Sequence, residues 1–116
     1  MQFINMNGAN TQRQQCLEAW IGCENLLAHL VSVRAKGIDH VLKTVDECAH
    51  ICMETWQAIK TSSAETYNLI LLCIGICEEC ADMCEQQPCL QMKQCAKTCR
   101  LCAEIFARQT RAAAYN

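Results

Sequence analysis

The segment Cys73-Ile-Gly-Ile-Cys77-Glu-Glu-Cys80-Ala-Asp-Met-Cys84 spaces four cysteines as C-x3-C-x2-C-x3-C. Alternating steps of four and three residues return to one face of an α-helix, so all four thiols share a single stripe. The stepping recurs in Cys95, Cys99 and Cys102, with Phe106 at the next step. It recurs again in Cys48 and Cys52, followed by Thr55, and in Cys16 and Cys23, where Trp20 and Leu27 complete the pattern. Eleven of the twelve cysteines are therefore expected on core faces, where Leu or Ile would ordinarily sit. Cys89, beside Pro88, is the exception.

Stop and start signals between these stripes divide the chain into four helical stretches. Residues 1–11 are polar, contain Gly8 and show no periodicity, which predicts a flexible leader before a bundle over 12–116. The first helix is expected from Gln12 to Lys36, with Arg34 and Lys36 suiting the dipole of its last turn and Gly37 as a left-handed cap. Asp39 is expected to cap a second helix that runs to Lys60. Ser62 and Glu65 make a capping-box pattern for a third, ending near Gln86. Pro88 suits the first position of a fourth, running to Ala113. Four such helices joined by short links predict an all-α, antiparallel up-down-up-down four-helix bundle with a cysteine-lined core.

So many cysteines in 116 residues signal either a disulfide scaffold or a metal-binding protein, and the compartment separates the two. Met1–Asn10 has no basic region followed by an apolar stretch and no twin arginine, so the expectation is a chain that stays in a reducing cytoplasm. No apolar run approaches the roughly 18 residues of a membrane span. A formal charge of −2 from 10 basic and 12 acidic residues provides no field for nucleic acid. The partners expected are metal ions.

Thiols three or four residues apart on a helix hold their Cβ atoms about 5–6 Å apart, too far for a disulfide. A metal relaxes that limit, because two bonds of about 2.3 Å span roughly 4.5 Å. Zinc prefers closed quartets, into which a continuous ladder is not expected to divide. Ferredoxin and haem signatures are absent from the sequence. Cu(I) is soft, selects thiolates and accepts few ligands, so several Cu(I) ions per chain are the expected cofactor. Loading releases protons, while the metal-free core stays neutral and apolar.

Cys48-Ala-His-Ile-Cys52, Cys73 to Cys84 and Cys95-Ala-Lys-Thr-Cys99-Arg-Leu-Cys102-Ala-Glu together resemble the cysteine-rich, four-helix-bundle copper storage proteins, in particular their cytosolic branch. The resemblance covers about residues 12–110. It implies a lumen holding many Cu(I) ions, frequent assembly as a homotetramer, and Met and His residues near one open end that assist admission of copper. The sequence departs from the fullest family pattern at Trp20, Leu27, Thr55 and Phe106, which stand where richer members carry cysteine.

The ligand set expected is Cys16, Cys23, Cys48, Cys52, Cys73, Cys77, Cys80, Cys84, Cys95, Cys99 and Cys102, with Cys89, Met92 and His50 as accessory candidates. Met92 shares the Cys95 stripe, although methionine at such spacing is commonly core. Trp20 and Trp56 are expected in the core or at a subunit contact, and Glu78, Glu79 and Asp82 on a solvated face. No acid–base constellation stands out, so an enzyme is not expected. Two other readings of the cysteines remain: a thiol redox protein using Cys77/Cys80 or Cys99/Cys102, and a structural bundle with a vestigial cysteine core.

Overall fold

The computed structural model describes residues 6–115, with side chains over 10–111. Within them the chain forms α1 (Met6–Ser32), α2 (Asp39–Thr61), α3 (Thr66–Glu85) and α4 (Leu90–Tyr115). The links are short, so sequential helices run antiparallel, and each packs on two neighbours in the closed ring α1–α2–α3–α4. The bundle measures 47 × 23 × 20 Å. No described helix is long and apolar enough to cross a membrane.

The helix ends differ from the sequence expectations in ways that packing explains. Residues 6–11, assigned to the leader, already belong to α1; residues 1–5 lie outside the described residues. One glycine costs a helix only about 1 kcal/mol, and Gly8 does not stop a helix whose core face extends back to the fully buried Gln12. At the other end α1 stops at Ser32 rather than Lys36. Leu30 is its last buried residue, so another turn gains no burial. Arg34, not Gly37, takes the left-handed cap position at φ 51°. Its N–H donates to Val31 C=O (3.1 Å) and that of Ala35 to Leu30 C=O (3.2 Å), a Schellman closure. Gly37, at φ 70°, makes a second left-handed step toward α2.

Ile38 precedes α2 without a side-chain cap, and Asp39 sits inside the first turn, where its charge suits the dipole. The Ser62/Glu65 capping box does not form. Ser62 instead closes α2 at φ 53°, its N–H donating to Ile59 C=O (3.3 Å) while Ser63 N–H donates to Ala58 C=O (2.9 Å). The α2–α3 turn is then held by the Thr66 hydroxyl, which donates to Ser63 C=O (2.7 Å) and Ala58 C=O (3.1 Å). Pro88 lies before α4 rather than at its first position. Cys89 C=O accepts the first helical bond, from Lys93 N–H (3.1 Å).

Two of these closures place a side chain in the left-handed region, at a cost of roughly 1–2 kcal/mol that glycine avoids, partly offset by its greater unfolded-state freedom. Arg34→Gly and Ser62→Gly should each raise the stability of the metal-free protein by about 0.5–1 kcal/mol in urea denaturation.

Candidate metal centre

The eleven stripe cysteines all face the bundle axis. Ten are completely buried and Cys95 is 4% exposed. All twelve cysteines are free. The core face of α1 runs through Gln12, Cys16, Ala19, Cys23, Leu26 and Leu30, so Ala19 and Leu26 occupy the positions expected for Trp20 and Leu27. Both registers satisfy 3-4 spacing, and the bundle seats Ala19 rather than the bulky Trp20 inside, which carries Leu26 inward with it. Trp20 and Leu27 are half-buried at its flank. Trp20 packs on Trp56 with ring centroids 5.9 Å apart, and Lys60 Nζ lies 5.0 Å from the Trp56 ring. Thr55 and Phe106 do occupy the core face, fully buried.

The thiols form one connected sulfur network. Cys52 Sγ lies 3.6 Å from Cys77 and 3.8 Å from Cys73, and Cys48 Sγ lies 3.8 Å from Cys77 and 3.9 Å from Cys99. Cys23 Sγ is 3.8 Å from both Cys95 and Cys99. Four groups have their sulfurs mutually within 4.8 Å: Cys16/Cys73/Cys102, Cys48/Cys52/Cys77, Cys23/Cys48/Cys80/Cys99 and Cys80/Cys84/Cys95. Three thiolates around an ion at about 2.3 Å stand about 4.0 Å apart, and two in line about 4.5 Å, so these separations accept a thiolate-bound metal without moving helices. Cys48 and Cys80 each belong to two groups and can bridge ions. One group is a quartet, contrary to the expectation that the ladder offers none. Helices that cross the axis bring thiols from different stripes to one level, which spacing along a single helix does not reveal.

Burial opposes ionisation of every thiol here, and hydrogen bonds among sulfurs sort the protons. Cys16 and Cys23 are held far above the usual thiol range, chiefly by Cys102 and Cys48 respectively. Cys84 is pushed up to about 12, chiefly by Cys80. Cys99 is pulled down to about 3, chiefly by Cys23, and Cys102 to about 6, chiefly by Cys16.

The ladder ends where each helix exchanges cysteine for another residue one turn on: Gln12, Thr55, Ile70 and Phe106, all completely buried. The Thr55 hydroxyl donates to Ile51 C=O (2.7 Å) and Leu69 C=O (3.4 Å). Toward the other end lie Leu26, Leu30, Val41, Val45 and Met92, which is 3% exposed on the Cys95 stripe. A cleft of about 190 Å³ between α1 and α4, lined by Asn25, Leu26, Gln91 and Gln94 among others, reaches Cys95.

The accessory candidates separate from this lumen. His50 lies 200° around α2 from Cys48, and it is exposed, with Nε2 2.8 Å from Glu54 Oε1. It lines an outer groove with Trp20, Glu24, Asp46 and Met53, and does not border the thiols. Cys89 is half-buried in the α3–α4 link and donates to Gln91 Oε1 (3.2 Å), outside every sulfur group. Glu78, Glu79 and Asp82 are exposed, and Asp82 Oδ1 pairs with Arg100 Nη2 at 2.9 Å. Gln12 went unrecognised as a core residue, although it stands one step of four before Cys16 and belongs to the same stripe.

The fold and the lumen define a class, a four-helix bundle with a continuous buried ladder of free thiols. The chain belongs to the copper storage protein family, whose model matches residues 5–111. It is 31% identical over 96 residues to an uncharacterized cysteine-rich protein, YhjQ, of Bacillus subtilis (strain 168), across 78% of this chain and 89% of that protein. The solved structure of the Cu(I)-bound copper storage protein BsCsp3 matches its fold with a TM-score of 0.84 at 23% identity, covering 89% of this chain and 98% of that one.

Among the described residues neither amide atom of Gln12 has a hydrogen-bond partner, although the residue is completely buried. Such an orphaned group costs about 1–3 kcal/mol. Gln12→Leu should therefore stabilise the metal-free protein by about that amount, read as an increased urea midpoint at unchanged m-value.

Proposed function

We propose that this protein stores or buffers Cu(I), binding several ions per chain through the eleven lumen thiolates. The observation that carries the reading is the burial of all eleven in one network of overlapping groups with 3.6–4.0 Å contacts. A soft ion of low coordination number suits shared, closely spaced sulfurs better than any hard cation does. The assigned ligands are Cys16, Cys23, Cys48, Cys52, Cys73, Cys77, Cys80, Cys84, Cys95, Cys99 and Cys102. Met92, on the Cys95 stripe, is assigned a supporting thioether role beside the α1–α4 cleft that admits copper. Cys89, half-buried outside the sulfur groups, is not needed for storage.

The role is non-enzymatic in this reading. The Cys77/Cys80 and Cys99/Cys102 pairs are completely buried in mid-helix, whereas a redox pair needs a thiolate that a substrate can reach. A cytoplasmic setting keeps such thiols reduced and available for metal. Self-association into a homotetramer is the assembly we assign, and the exposed apolar side chains Ile21, Leu71, Leu72 and Leu101 offer it surface.

Anaerobic titration of the reduced protein with Cu(I) against a chromophoric chelator should show several ions taken up per chain before the chelator colours. Uptake of none or one would refute storage. The pH dependence has a defined sign. Cys16, Cys23 and Cys84 hold their protons at neutral pH, and each must lose one to become a ligand. Apparent affinity should thus rise with pH, by up to about tenfold per unit for each proton displaced, in chelator competition between pH 6 and 8.

A further inference from the structure

We propose that Cys23, Cys48, Cys80 and Cys99 form a tetrahedral site for a single divalent d10 cation of the zinc type, at the waist of the bundle. The sulfurs lie mutually within 4.8 Å, and the four residues are completely buried. Each comes from a different helix, which is true of no other sulfur group: Cys16/Cys73/Cys102 draws on three helices, Cys48/Cys52/Cys77 and Cys80/Cys84/Cys95 on two. Four sulfurs around an ion at about 2.3 Å stand about 3.8 Å apart. Cys23–Cys99 at 3.8 Å and Cys48–Cys99 at 3.9 Å already meet that spacing. The remaining pairs, each within 4.8 Å, close the tetrahedron by approaching about 1 Å or less. A set closed on all sides leaves no position for water, as in structural zinc sites.

Four thiolates around a divalent ion leave two negative charges in the lumen, and neighbouring thiols are placed to share them. Cys95 Sγ lies 3.8 Å from Cys23 and 4.0 Å from Cys99, and Cys77 Sγ lies 3.8 Å from Cys48. Each of these keeps its proton and directs an S–H bond at a metal-bound sulfur, the outer-shell support such sites use. Each of the four that carries an S–H proton releases it as its metal–sulfur bond forms, and nothing is oxidised or reduced. The ion would occupy Cys48 and Cys80, the two sulfurs that link adjoining groups, so a divalent ion at the waist divides the ladder until Cu(I) displaces it. The site goes beyond the copper reading and stands or falls separately from it.

Anaerobic titration of the reduced full chain with Co2+ tests the site. The expected result is a tetrahedral ligand-field spectrum with thiolate charge-transfer bands, saturating at one equivalent and bleached by one equivalent of Zn2+. Cys80→Ser should abolish the four-sulfur spectrum, while Cys16→Ser leaves it intact, with circular dichroism confirming that both variants fold. Should either variant not fold, 113Cd NMR of the unaltered chain at one equivalent of Cd2+ provides the same decision, a single all-sulfur resonance being expected. Octahedral Co2+ only, saturation at several equivalents, equal effects of the two substitutions, or a cadmium signal with mixed ligands would overturn the proposal. A chain that loads several Cu(I) ions yet gives no tetrahedral Co2+ spectrum overturns this site and leaves copper storage standing.

Discussion

Thiols make a small, adaptable core, and their burial sets the terms for the rest of the bundle. A cysteine fills less volume than the Leu or Ile that ordinarily occupies such a stripe, so a waist lined by thiols gains less from packing. Larger apolar groups supply contact beyond it: Phe106 and Ile70 at one end, Leu26, Leu30, Val41 and Val45 toward the other. The Trp20–Trp56 pair adds contact along the α1–α2 edge. Small residues recur beside the sulfurs, with Ala19, Ala49, Ala81, Ala96 and Ala103 buried along the four helices. The metal-free fold is thus held by its ends, its flanks and its alanine-lined seams.

That division of labour connects stability to function. Thiols can remain buried while sharing protons with one another, so the lumen is preorganised before any ion arrives. A metal-bound thiolate then replaces an S–H contact at nearly the same separation, since sulfurs at 3.6–4.0 Å already approximate the spacing of about 4.0 Å in three-coordinate sites. The cost of loading falls on proton release rather than on helix movement. The α1–α4 cleft at Cys95 is where the seal is thinnest among the eleven lumen thiols, at 4% exposure against none elsewhere.

Much of this was legible in the sequence because 4-3 stepping of cysteine is an unusually clean helical signal. The stripes on α2, α3 and α4 match the buried faces, including the end residues Thr55 and Phe106, because the in-phase cysteines fix the register there even where α3 carries other apolar residues such as Leu71 and Leu72. On α1 the stripe was placed one residue off at Trp20 and Leu27, because a wide apolar face supports two registers and partner helices choose between them. The links were less legible. Ser62 reads equally as a cap for α3 or a closure for α2, and Arg34 gives no local sign of a left-handed backbone. The four-thiol group was hidden for a different reason: it is made by helices crossing at one level, a property of packing rather than of spacing along any one helix.

The central claim is that copper binds inside the bundle through shared thiolates. Anomalous diffraction at the copper edge, from crystals grown with the Cu(I)-loaded protein, tests it most directly. The account predicts several copper peaks along the lumen, each within about 2.3 Å of sulfurs from the eleven stripe cysteines, with Cys48 and Cys80 bridging neighbouring ions. Copper confined to the outer surface, at His50 and Glu54 or at Cys89, with an empty lumen, would contradict it.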